Sequence, residues 1–168
     1  MKYKLTNETK IVNSVPAYRI VALETFGMIR KGALGGWIAS EQNLSQDGNC
    51  WVYDNAKVFG NARVSDDAEV FGNAQVFDNA RIYENAKVLG DTHVCGDAEV
   101  HGNAQVSGNA IVGDNAQVYD HAKVYGNATI YGDAEVYETA WVCGEAQIYG
   151  DAKISGDAWI CLGVIHNV

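Results

Sequence analysis

From Val52 to Ile160 an aliphatic Val or Ile returns every sixth residue, nineteen times, with no insertion or deletion. From Ala56 to Ala158 an Ala stands two residues ahead of each, with Thr92 the single exception. In an extended segment alternate side chains share a face, so Ala and Val/Ile point inward while the residues between and after them face solvent. The next two residues form a corner, usually Gly, Asp or Glu followed by Asn or Asp, as in Gly60-Asn61 and Asp78-Asn79. Asn and Asp tolerate the left-handed backbone region, which predicts that the chain bends at the second corner residue. Six residues per side and three sides give an 18-residue triangular coil, the signature of a solenoid. The register predicts buried Ala and Val/Ile, with Phe59, Tyr83 and Tyr131 left partly exposed.

The first 36 residues lack this register and hold the only proline, Pro16. Tyr18–Phe26 reads as a strand with Lys2–Thr6 as its partner. An open solenoid end exposes its hydrophobic cross-section and strand edges, so residues 1–36 read as an N-terminal β cap. The solenoid begins at Ile38, and a two-residue insertion separates Leu44 from Val52. The repeat body covers 37–161. Leu162, Val164, Ile165 and Val168 make residues 162–168 an apolar tail that either folds over the last coil or pairs with another chain.

The aliphatic–small spacing resembles the hexapeptide repeats of left-handed parallel β-helices. That resemblance implies an all-β, single-stranded, left-handed parallel β-helix; the hand comes from the resemblance alone, since ordinary parallel crossovers are right-handed. An aromatic usually follows the aliphatic, where the family often has Gly or an acid. A narrower likeness lies upstream. Gly35-Gly36-Trp37, then Asn43-Leu44-Ser45, then Gly48-Asn49-Cys50-Trp51 resembles the opening segment of YdcK-like proteins, hexapeptide-repeat proteins of bacteria with similar ones in phages and prophages.

Many left-handed β-helix proteins are acyltransferases that bind acyl-CoA between subunits and use a His as general base. Here His93 and His101 fall on outward strand positions of different sides, and His121 falls on a corner. No loop interrupts the array beside them, so no catalytic residue is assigned. A three-His zinc site needs two closely spaced histidines, and this chain has no such pair. Phosphate-binding loops and nucleophile elbows are absent, so no cofactor or metal is expected. Cys50, Cys95, Cys143 and Cys161 lack metal-ligand spacing. Cys143 and Cys161 stack on adjacent coils and read as reduced thiols, because the N-terminus lacks the apolar run of a signal peptide. The expected location is the cytoplasm, the host's if the gene is viral, with no membrane association.

Charge changes the picture. Residues 51–168 hold six Lys/Arg against seventeen Asp/Glu, a net charge of −11, and fourteen of those acids are corner residues. One edge collects Asp78, Asp97, Asp114, Asp133 and Asp151. Corner conformation and solubility account for acids in such places. The functional alternative is mimicry of a nucleic-acid backbone: over about 30 Å the rod carries roughly one charge per 2.7 Å, against ~1.7 Å in duplex DNA. Such an edge would bind a protein partner with a basic surface, and the same charge disfavours direct nucleic-acid binding. Tyr125, Trp141, Cys143, Trp159 and Cys161 share one side near the C-terminal end and form the expected interface of a homodimer or homotrimer. The sequence thus favours a non-catalytic solenoid that presents acidic edges and aromatic faces to protein partners, phage- or prophage-associated by its resemblance. The alternative is an acyltransferase whose pocket forms between subunits.

Overall fold

In the computed structural model, which describes residues 1–167, the hexapeptide array winds into a parallel β-solenoid. Each side of each coil contributes a two-residue strand, such as Lys57–Val58, Arg63–Val64 and Glu69–Val70. Equivalent strands one coil apart pair in parallel and in register, as in Lys57↔Gln75 and Val58↔Val76. Every side therefore becomes a sheet whose successive strands are 18 residues apart. The backbone is satisfied between coils: the N–H groups of Lys57, Phe59 and Asn61 donate to the carbonyls of Ala74, Val76 and Asp78 at 2.9, 3.0 and 2.7 Å.

The interior is as narrow as the sequence implies. Val and Ile from Val52 to Ile148 are fully buried, and the Ala positions from Ala56 to Ala152 are sealed with them. Thr92 is accommodated because its hydroxyl donates to the Leu89 carbonyl within the same turn. Burying a hydroxyl without a partner would cost about 1–3 kcal/mol.

The N-terminal cap is an antiparallel hairpin, β1 (Tyr3–Val12) and β2 (Val15–Ala22), joined to β3 (Leu34–Ile38). β3 then pairs in parallel with Lys57–Val58, which places Ile38 beside Val58, and Leu44 bridges Val64. Both separations are 20 residues, so the two-residue insertion is absorbed in the first coil. Tyr3, Ile20 and Trp51 plug the open cross-section, with Tyr3 and Phe26 edge-on to the Trp51 ring. This plug explains the glycine pair before Trp37: a Cβ at Gly35 would lie 2.6 Å from the Ile20 side chain and the Val52 carbonyl.

Two expectations are corrected here. Phe59 is not partly exposed but 6% accessible, because the hairpin tip (Val12, Ala17) and Trp37 pack over the outer face of the sheet and cover it; Tyr83 and Tyr131 are half-buried. The bend also falls on the first corner residue. All eighteen first-corner positions from Asp54 to Gly156 have positive φ, eleven of them Gly and seven Asp or Glu. Gly suits that place because it carries no Cβ.

At the other end, Val164–Asn167 adds a last parallel strand beside Gln147–Gly150. The other two sheets end at Lys153–Ile154 and Trp159–Ile160. Nothing equivalent to the hairpin covers this end among the described residues; Val168, the last residue of the expected apolar tail, lies outside them.

Candidate functional site

The acidic edges do work inside the chain. Each of the seven first-corner acids accepts a hydrogen bond from the backbone N–H of the first-corner residue one coil on: Asp54 from Gly72, Asp66 from Glu84, Asp78 from Gly96, Glu84 from Gly102, Asp114 from Gly132, Asp120 from Glu138 and Glu138 from Gly156, at 2.6–3.3 Å. The second-corner residues form side-chain ladders along the same edges. Asn61 donates to Asn79 at 3.0 Å, and Asn79 donates to Asp97 at 2.9 Å. Asn115 donates to Asp133 at 2.8 Å. An acid in such a ladder accepts and has no proton to pass on, which is why Asn precedes it. The column Asp78, Asp97, Asp114, Asp133, Asp151 is therefore brought together on one exposed edge, and four of its five members hold neighbouring coils together.

The aromatic faces are ordered in the same way. Tyr83, His101, Tyr119 and Tyr137 form one stacked column, with ring centroids 4.7–5.1 Å apart and planes within 4°. Phe59 stacks on Phe77, and Tyr131 on Tyr149. Three phenols also reach a Glu on the adjacent coil: Tyr53 donates to Glu69, Tyr83 to Glu99 and Tyr119 to Glu135, at 2.8–2.9 Å. Sequence reasoning missed these pairs, although a Tyr followed sixteen residues later by a Glu is their signal. Burial and then the bond to Glu99 push the Tyr83 phenol up to about 12. Bonding to Lys153, then to Tyr119, holds the Glu135 carboxyl below the usual carboxylate range.

The histidines are dispersed. His101 is sandwiched between Tyr83 and Tyr119, with Nδ1 3.7 Å from a Glu84 oxygen. His93 lies 3.1 Å from the Gln75 amide on another sheet. His121, exposed on a corner, lines a shallow hollow with Asn103, Gln105, Lys123, Thr139 and Trp141. Among the described residues no group of three or more His, Cys, Asp or Glu side chains is arranged to hold a metal ion. No helix is long and apolar enough to cross a membrane.

The C-terminal aromatic patch assembles as its register requires. Trp141 and Trp159 are in-register neighbours with ring centroids 5.4 Å apart. Tyr125 meets Trp141 edge-on at 6.0 Å, and Lys123 Nζ lies 4.6 Å from the Trp141 ring centre. Trp159 is 69% exposed, Leu162 76% and Val164 60%. One detail differs from expectation. Cys143 is buried, so it offers no contact surface of its own. Its sulfur also meets that of Cys161, because stacking at 18 residues brings their Cα atoms to 4.2 Å. The Trp159 indole N–H points at both sulfurs.

Comparison with known proteins gives the same repeat. A family model described as the YdcK β-solenoid repeat matches residues 74–90, 104–120, 122–138 and 146–161. A protein of Escherichia coli (strain K12) named "Uncharacterized acetyltransferase YdcK" is 36% identical over 61 residues, which cover 32% of this chain and 19% of that relative. The matched part thus spans about a fifth of the relative's length. The eighteen-residue coils, the hexapeptide register and these matches place the chain among the hexapeptide-repeat β-solenoids of the YdcK-like family.

Proposed function

We propose that this chain is a non-catalytic solenoid that works by contact, joining a second copy of itself through its C-terminal end and offering its acidic edges to a basic protein partner. The observation that carries the reading is the asymmetry of the two ends. Among the described residues a hairpin and the Tyr3–Ile20–Trp51 plug seal the first coil, whereas Trp159, Leu162 and Val164 stand exposed beside the last strand of each sheet. Those side chains present on the order of 300 Å² of apolar surface, contributing roughly 7 kcal/mol when buried. Association itself costs about 4–15 kcal/mol, so these last strands must add hydrogen bonds for a micromolar complex. The first-corner carboxylates each give one oxygen to the backbone and keep the other for solvent or a partner. A rod of this charge fits a basic DNA-binding groove, the mode of action of a cytoplasmic phage or prophage protein that blocks a host DNA-binding or defence protein. Trp159→Ser with Val164→Ser tests the self-contact: tryptophan emission of the wild-type protein should shift to the blue as concentration rises, and that of the double variant should not. A shift that survives the double substitution would reject this end as the contact.

A second reading follows from the relative's printed name. Acetyl transfer would use the His121 hollow, in which the exposed imidazole could take a proton from an acceptor amine or hydroxyl. The hollow shares Trp141 with the aromatic patch, so a second copy docked there would close its open side. Acetyl-CoA separates the two readings, since a bound ligand raises the melting temperature by mass action. A saturable rise lost in His121→Ala favours transfer; no rise favours contact alone.

A further inference from the structure

The charged residues on the solenoid strands follow a rule with one exception. Four in-register pairs on adjacent coils are both charged, and three are of opposite sign: Glu69↔Lys87, Arg81↔Glu99 and Glu135↔Lys153. These close as ion pairs at 2.8, 3.8 and 2.8 Å. The fourth, Arg63↔Arg81, sets two arginines in register on adjacent strands. Like charges directly opposite in a sheet are destabilising, and adjacent strands lie only about 4.8 Å apart. Among the described residues no carboxylate lies within 4.0 Å of Arg63, and Arg81 has only the longest of the three ion pairs. The pair is not buried under the cap. It lines an open hollow with Asn61, Ser65, Asp66 and Tyr83.

The neighbouring polar groups are largely bonded to one another rather than to Arg63. Asp66 accepts from the Glu84 N–H and from the Ser65 hydroxyl. The Tyr83 hydroxyl donates to Glu99. Arg63 thus keeps donors that no carboxylate takes up, and Arg81 gives only the 3.8 Å pair to Glu99. Each guanidinium is a planar fork suited to two oxygens of one anion, and two such side chains on adjacent strands lining one hollow can both reach a single oxyanion. We infer that Arg63 and Arg81 form a binding site for a phosphate monoester, with the phosphoryl group held between the two forks. The net charge of −9 repels anions at long range. That repulsion is screened beyond about 8 Å at physiological salt, whereas direct contact is not.

Inorganic phosphate is the first probe, titrated by calorimetry at constant ionic strength with chloride as the balancing ion. Saturable heat in the millimolar range is expected. Glucose 6-phosphate should bind at least as tightly as phosphate, and glucose should not bind. Arg63→Gln with Arg81→Gln should weaken both phosphate ligands by at least about ten-fold, the loss of roughly one charge-assisted contact. Arg63→Lys should fall between, since an ammonium lacks the fork. A purely structural Arg63 is distinguished without any ligand. Relief of repulsion predicts that Arg63→Gln melts no lower than the wild-type protein and that Arg63→Glu, which can pair with Arg81, melts higher. The inference is overturned by absence of phosphate heat, by equal heats in the double variant, or by an Arg63→Gln protein that melts lower in phosphate-free buffer.

Discussion

Replacing Asp114 separates two opposing terms in the corner. Its backbone sits at φ +54°, and its Oδ2 accepts the Gly132 N–H at 3.1 Å. A hydrogen bond to a charged group contributes about 1.5 kcal/mol or more when protected, so about 1 kcal/mol is appropriate on this exposed edge. Holding a residue with a Cβ in the left-handed region costs about 1 kcal/mol relative to glycine, less for Asp and Asn than for Ala. Asp114→Ala loses the bond and gains the part of the strain that Asp escapes, about 0.5 kcal/mol, for a cost of about 1.5 kcal/mol. Asp114→Gly loses the same bond but relieves the strain that Asp bears, about 0.5 kcal/mol, for a net cost of about 0.5 kcal/mol. Asp114→Asn keeps an oxygen acceptor and should cost under about 1 kcal/mol. At roughly 2–4 °C per kcal/mol for a chain of this length, Ala should lower the melting temperature by about 3–6 °C and Gly by about 1–2 °C. Thermal unfolding followed by circular dichroism at neutral pH reads all three. Equal losses for Ala and Gly would show that backbone strain plays no part, and an unchanged Ala variant would show that the carboxylate holds nothing.

Other outcomes follow from the core, the cap and the phenol–carboxylate pairs. Val100→Ala leaves a cavity in a fully enclosed column and should cost about 2–3 kcal/mol, while Ala98→Ile overfills the same coil for about 1–3 kcal/mol; denaturant unfolding measures both. Gly35→Ala should destabilise the cap selectively, seen as faster hydrogen exchange in Tyr3–Ala22 than in the central coils. The raised Tyr83 value means that its contribution is complete below the ordinary phenol value near 10 and is lost as pH rises through about 12. Glu99→Gln should lower that titration toward the ordinary value in ultraviolet absorbance; an unmoved midpoint would leave burial as the whole cause.

Much of this architecture was legible because one short rule is repeated without error. The Ala and Val/Ile positions declare their burial, the period fixes eighteen residues per coil, and Ile38 and Leu44 reveal the insertion that β3 and its neighbours absorb. Phe59 was misread because periodicity reports only one coil at a time, and the hairpin that covers it folds back from a different part of the chain. The bend was misplaced because Asn and Asp serve two purposes: their left-handed tolerance suggested the second corner, but their side chains are there to build the ladders. The acidic column was visible as charge, yet its bonds to backbone N–H groups depend on the left-handed first corner and could not be seen without it. The aromatic end was legible as a register of Tyr125, Trp141 and Trp159, and the same register brings Cys143 and Cys161 together.

Self-contact through the Trp159–Val164 end is the central claim, and the mass of the particle in solution tests it most directly. Light scattering across a micromolar concentration series should give a multiple of the 18.2 kDa chain. Trp159→Ser with Val164→Ser should reduce it to a single chain while circular dichroism remains unchanged. A wild-type protein that scatters as a monomer throughout that range would contradict the account.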